Sequence, residues 1–148
     1  AFGMRVVGAD IAEIPEDFIT ETGLEVMGKE ALLKEADFVS LNCTLDSDSY
    51  QIIDRQALLW MKPTAYLINT ARGPLIDEKA LATALREGRI AGAGMDVFDQ
   101  EPLPADSPLR EMENCLFAPH NSNSSPVAWE RVHQSTLDNL LEELDKSL

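Results

Sequence analysis

Short β-branched apolar runs alternate with helical stretches along this chain, and that alternation restricts the possible fold more than any other feature. Met4-Arg5-Val6-Val7-Gly8-Ala9 reads as a strand ending at Asp10. Pro15 and Gly23 bracket a short irregular or helical stretch, and Leu24-Glu25-Val26-Met27 reads as a weaker strand. Lys29 to Ala36 reads as a helix with Leu32 and Leu33 inward. Asp37 to Cys43 is nearly continuous in apolar character, the pattern of a parallel strand covered on both faces. Asp54 is placed to cap a helix over Arg55 to Met61, which Lys62-Pro63 stops. Ala65 to Asn69 is a strong strand, and Asp77 caps a predicted helix over Glu78 to Glu87, ended by Gly88. Ile90 to Val97 and Cys115 to Ala118 supply two more strands. From Pro126 a helix runs to the end, with Val132, Leu137, Leu140, Leu141, Leu144 and Leu148 on one stripe.

This order predicts an α/β fold, a doubly wound parallel sheet of Rossmann type. Ligands in such sheets lie beyond the carboxyl ends of the strands, where Asp10, Cys43, Thr70, Asp96 and His120 all fall. With 148 residues, the chain has the size of one domain with a real core. Its formal net charge of −14 argues against nucleic acid or an anionic membrane as partner. No apolar run approaches the roughly 20 residues that span a bilayer, and no signal-peptide pattern is present, so the expected location is cytoplasmic. Cys43 and Cys115 sit in apolar, strand-like contexts and are expected as buried, reduced thiols. No two-histidine, cysteine-rich or paired-acid spacing suggests a metal site.

A carboxylate at the end of a Rossmann strand can bind both ribose hydroxyls of NAD and repel the 2′-phosphate of NADP. Asp10 stands in that position, although such an acid can equally cap a turn. The glycine fingerprint normally precedes the acid by about 20 residues, and counting back from Asp10 runs off the start of the chain. Gly92 and Gly94 are no substitute, because they fall within a predicted strand with no helix following. The expectation is therefore a sheet without its first strand and phosphate-binding loop. That absence would leave unpaired edges on the strand ending at Asp10 and on Ala65 to Asn69. Such a chain is either a piece of a longer polypeptide or has its gap filled by another chain.

Three segments bear reactive groups just after predicted strands: Asn69-Thr70-Ala71-Arg72-Gly73, Asp96-Val97-Phe98 with Glu101, and Pro119-His120. A guanidinium can hold a substrate carboxylate through a bidentate fork, and against a net charge of −14 Arg72 is the obvious cationic anchor. An imidazole can pass a proton to an oxygen that becomes a hydroxyl, while a carboxylate keeps it charged and oriented. The set suits hydride transfer to or from a 2-hydroxy or 2-keto acid. Each residue also has a plainer reading: Arg72 as a surface turn, Glu101 as a solvated loop acid, His120 as a helix cap. His133 is read as structural or solvent-facing, and Trp60 and Trp129 as packing, with Trp129 near enough to His120 to reach a pocket edge.

With these residues in view, the chain resembles the D-isomer-specific 2-hydroxyacid dehydrogenases over essentially its whole length. The resemblance rests on Met61-Lys62-Pro63, Ile68 to Gly73, Gly88-Arg89-Ile90-Ala91-Gly92, Asp96-Val97-Phe98 with Glu101-Pro102-Leu103, and Pro119-His120, in that order. It implies that Arg72 binds the substrate carboxylate, that His120 is the acid/base and that Glu101 pairs with it. It implies NAD as cofactor, with Asp10 on the adenine ribose and Asp96 near the nicotinamide carboxamide. Cys43, Thr44, Thr70 and Ala71 would line the cofactor, together with Arg72, His120 and Ser122. On this resemblance residues 1–125 form a partial NAD-binding domain, and the helix in 126–148 returns toward a separate substrate domain. A small 2-hydroxy or 2-keto acid substrate and a homodimer are likewise implied. Asn42 and Thr44 stand where the family often has a histidine and a proline, and Asn121-Ser122-Asn123-Ser124-Ser125 replaces small and glycine residues after the histidine. A non-enzymatic, NAD-binding corepressor of the same fold and an inactive truncated fragment are the rival readings.

Overall fold

The computed structural model describes residues 3–121 and 124–146. The chain opens with β1 (Val7–Gly8), α1 (Glu16–Thr22), β2 (Glu25–Val26), α2 (Lys29–Glu35) and β3 (Phe38–Leu41). It continues through α3 (Arg55–Trp60), β4 (Tyr66–Asn69), α4 (Glu78–Arg86), β5 (Gly92–Met95), β6 (Cys115–Phe117) and α5 (Pro126–Lys146). Helix starts follow from local chemistry. The Asp54 side chain accepts from Ala57 N–H at 2.7 Å, and Asp77 accepts from both Lys79 and Ala80 N–H at 3.0 Å. Just past α4, Gly88 adopts φ 63°, a left-handed turn that a side chain would strain.

All paired strands are parallel, in the order β3-β4-β5-β6, with β1 and β2 paired separately. The two sheets are joined through helices: α2 packs on α3, and the Lys29 ammonium donates to the Ile52 carbonyl at 3.1 Å while lying over the Trp60 ring. Leu33 of α2 is buried in the common core with Leu58, Leu67, Leu81 and Met95. In a doubly wound sheet one strand separates the second strand from the fourth, and here the break between sheets falls at that place. β3 is therefore an edge of the four-stranded sheet and β1 an edge of the two-stranded one. This corrects the expectation for Ala65 to Asn69, because β4 lies inside its sheet, paired on both sides.

The two faces of the sheet also differ from the expectation. Val39, Leu41, Leu67, Asn69, Ala93 and Met95 point to one side of the sheet and are buried there. On the other side the register aligns Phe38 with Tyr66 and Gly92, and Ser40 with Ile68, Gly94 and Leu116. Phe38, Tyr66 and Leu116 are exposed, the first two stacked at 5.7 Å. So the continuous apolar character of 37–43 does not mean cover on both faces within this chain. That strand also ends at Leu41, two residues earlier than expected, which leaves Cys43 exposed in a loop. Cys115 is buried as anticipated, and burial, aided by the Glu78 charge, pushes its thiol up to about 11. The apolar stripe of α5 from Val132 to Leu144 lies exposed, with no residue of that helix buried, and Leu148 lies outside the described residues.

Candidate active site

The site begins with Asn69, the fully buried last residue of β4. Its side chain accepts from Ala71 N–H at 3.1 Å and donates to the Arg72 carbonyl at 2.9 Å, so one amide clasps the whole turn. Sequence reading passed over Asn69, although an Asn at a strand end before a tight turn is a usable signal. Arg72 is exposed, and its Nη1 donates to the Ala71 carbonyl at 2.6 Å. Gly73 follows and packs so tightly that a Cβ there would lie 1.9 Å from the carbonyl carbon of Phe98. Only glycine permits that approach.

Asp96 follows β5 and is buried. Its N–H donates to the Asn69 carbonyl at 3.0 Å, continuing the β4–β5 ladder, and its Oδ1 accepts from Asn121 N–H at 2.9 Å. It thereby holds the backbone next to His120, which itself adopts φ 55°. Residues in that region are sparsely populated by non-glycine side chains and mark positions held by their surroundings.

Glu101 completes the group. Its Oε2 lies 2.8 Å from Nδ1 of His120, and its Oε1 accepts from Phe98 N–H at 2.9 Å. The hydrogen bond with His120, followed by that with the Phe98 N–H, holds the Glu101 carboxyl below the usual carboxylate range. An ionised Glu101 can orient the imidazole and stabilise its cationic form. Asp96, Phe98, Glu101, Leu103, Phe117 and His120 are among the residues lining one cavity of about 730 Å³. Phe98 and Phe117 meet at 6.0 Å between ring centroids, giving it an apolar wall beside the acid/base pair.

Three of the expected site residues, Asp96, Glu101 and His120, thus converge on one cavity. Arg72 does not line it; its loop reaches the same turn through Gly73 and Phe98. Cys43, Thr44, Thr70 and Ala71 follow β3 and β4 at the carboxyl rim, with all but Ala71 exposed. Asp10 is exposed beyond β1 in the other sheet, where its Oδ1 accepts from Ala12 N–H at 2.9 Å. Ser122 lies outside the described residues. His133 is exposed and edge-on to Trp129 at 5.5 Å, and neither lines the cavity. No group of three or more His, Cys, Asp or Glu side chains among the described residues is arranged to hold a metal ion.

The donor set fits a dinucleotide at its two ends. An exposed carboxylate stands beyond β1 for a ribose diol, and small or backbone-rich segments follow β3 and β4. The sequence contains no G-x-G-x-x-G, so these residues supply no glycine-rich cradle for the diphosphate.

Residues 1–122 match the family model described as D-isomer specific 2-hydroxyacid dehydrogenase, NAD binding domain. The chain belongs to that family. It is 46% identical over 140 residues to the glyoxylate reductase of Korarchaeum cryptofilum, covering 95% of this chain and 42% of that one. A Lactobacillus delbrueckii ssp. bulgaricus D-isomer specific 2-hydroxyacid dehydrogenase, solved as an NAD complex, aligns with TM-score 0.83 and 32% identity. That alignment covers 97% of this chain and 46% of the solved one. An acyclic imino acid reductase, solved with NADPH and D-Arg, aligns with TM-score 0.87 and 31% identity over 98% of this chain and 45% of its own. The chain thus spans under half the length of each of these three proteins. Among the described residues no helix is long and apolar enough to cross a membrane.

Proposed function

We propose that this chain carries the acid/base half of an NAD-dependent 2-hydroxyacid dehydrogenase acting on a small 2-keto or 2-hydroxy acid. One observation carries the reading: the Glu101 carboxylate is bonded to Nδ1 of His120 at 2.8 Å at the wall of an open cavity. The relatives named glyoxylate reductase support a small keto acid as substrate.

When bound, the cofactor would supply a hydride as NADH in the reducing direction and accept one as NAD+ in the other. Asp10 would hold the adenine ribose, with Cys43, Thr44, Thr70, Ala71 and Ser122 along the cofactor and Asp96 toward its nicotinamide end. Arg72 would fix the substrate carboxylate by its fork and stabilise charge on the reacting oxygen. His120, charged and oriented by Glu101, would donate its Nε2 proton to the carbonyl oxygen as C2 is reduced. In the oxidative direction the same imidazole takes that proton back. Phe98, Leu103 and Phe117 form an apolar wall beside the pair, which is itself exposed to solvent in this chain.

A cytoplasmic homodimer is part of this reading, and the uncovered apolar face of the β3–β6 sheet supports association. The exposed stripe of α5 supports packing of that helix against a further domain. The test is NADH oxidation by the complete polypeptide that carries these residues, with glyoxylate, hydroxypyruvate and larger 2-keto acids supplied in turn. Keto-acid-dependent turnover is expected. Tight NADH binding without turnover would instead favour a corepressor-like regulator.

A further inference from the structure

The turn that carries Glu101 is held by two carboxylates, and only one of them belongs to the turn. Phe98 N–H donates to Glu101 Oε1 at 2.9 Å, and the next amide, Asp99 N–H, donates to Glu78 Oε1 at 2.7 Å. Glu78 lies 21 positions away, in the first turn of α4. Its base is rigid: Asp77 caps that helix twice, and Leu81 and Leu85 anchor it in the core. Glu101, by contrast, sits at the start of an exposed proline-rich loop, and its bond to Phe98 is local. A local bond cannot fix where the turn stands relative to His120. The tie to α4 can, acting beside the packing of the Phe98 backbone on Gly73.

We propose that Glu78 is a positioning residue, holding the 98–101 turn against α4 so that Glu101 meets His120. The inference rests on the proposed pairing of Glu101 with His120 as the acid/base couple. A plainer role exists for Glu78, because an acid in the first turn of a helix interacts favourably with the helix dipole. That role needs no side-chain contact with a loop and gains nothing from burial. Yet Glu78 is half-buried, with burial raising its carboxyl and the nearby Asp99 charge adding to the rise. Keeping a carboxylate there costs desolvation, which its charge-assisted bond to Asp99 N–H offsets in part.

The two amides are built-in reporters. Phe98 N–H reads the ionisation of Glu101, and Asp99 N–H reads that of Glu78. Glu101 also faces His120 and Asp96, while Glu78 faces Asp99 and Cys115, so each of these groups bears on the midpoint of the carboxyl it faces. The experiment is a pH titration of the ¹⁵N-labelled chain by ¹H–¹⁵N correlation spectra, for wild type, Glu78→Ala, Glu78→Gln and Glu101→Gln. In Glu78→Ala the turn loses its tie, and the Phe98 midpoint should rise by about half a pH unit or more as the Glu101–His120 bond loosens. In Glu78→Gln the amide oxygen still accepts from Asp99 N–H while the charge is gone, so the midpoint should hold or fall slightly. Opposite responses to Ala and Gln support a positioning role. Equal responses to both, or none to either, overturn it, since charge alone would act the same way in both variants. If Glu78→Ala does not fold, Glu78→Asp, one methylene shorter, must show the same rise or the proposal fails. If the Phe98 amide does not titrate in wild type, or still titrates in Glu101→Gln, then the Glu101 anchorage itself is wrong and the proposal falls with it.

Discussion

Gly73 and Phe98 touch backbone to backbone, so the loop bearing Arg72 rests directly on the turn bearing Glu101. A Cβ at Gly73 would lie 1.9 Å from the Phe98 carbonyl carbon and 2.4 Å from Asp99 N, distances that no side-chain adjustment can relieve. Gly73→Ala is therefore expected to destabilise the fold by about 1–3 kcal/mol through overpacking. At Gly94, where an added Cβ meets nothing within 4 Å, alanine should stay within about 0.5 kcal/mol of wild type. Urea unfolding of the two variants side by side checks the contrast. Equal losses would mean that the contact is not rigid.

The same turn predicts a pH dependence. Glu101 is held below the ordinary carboxylate range by His120 and the Phe98 N–H. An acid whose folded value is depressed contributes stability above its unfolded pKa and loses it as pH falls through the folded one. The stability difference between wild type and Glu101→Gln should therefore be constant near neutrality and shrink in mildly to strongly acid solution. Urea midpoints for both proteins across that range measure it. A difference that grows toward acid would reverse the assigned sign.

The two thiols should behave oppositely. Cys43 is exposed, whereas Cys115 is buried and pushed up to about 11. At slightly alkaline pH one thiol per chain should react with an aromatic disulfide reagent within minutes, and the second only after denaturation. Cys43→Ser should abolish the fast phase. Rapid reaction of both thiols in the folded protein would contradict the burial of Cys115.

Asp10 should set cofactor choice. A carboxylate at the ribose pairs with hydroxyls and repels a 2′-phosphate, so NADH should bind more tightly than NADPH. Asp10→Ala should narrow that gap by weakening NADH more than NADPH, as read by calorimetric titration of both cofactors. An unchanged ratio would place Asp10 in its turn with Ala12 and nowhere else.

Much of this was legible in the sequence because it follows from local chemistry. Asp54 and Asp77 cap helices, Gly88 closes one, and the parallel alternation sets which strand ends share a rim. Glu101 and His120, 19 residues apart, meet because a loop and one short strand lead from one to the other. What escaped depends on the partner a segment packs against. The apolar run 37–43 cannot say whether helices cover both faces, and here Phe38, Tyr66 and Leu116 stand open. Strand neighbours are set by crossovers, so the open edge fell on β3 and not on Ala65 to Asn69. Glu78 stood out only as the first residue of a predicted helix, because nothing local reveals the amide of Asp99 that it accepts from.

The central claim is that Arg72, Glu101 and His120 serve one hydride transfer. Its most direct test follows deuterium from C4-deuterated NADH, incubated with glyoxylate or hydroxypyruvate and the complete polypeptide that carries this chain. The label is predicted to appear at C2 of the hydroxy acid with wild type. With Arg72→Ala or His120→Gln, transfer should fall by at least about 1000-fold while the fold is retained. Label transfer undiminished in the Arg72→Ala protein, or none to any 2-keto acid in the wild type, would contradict the account.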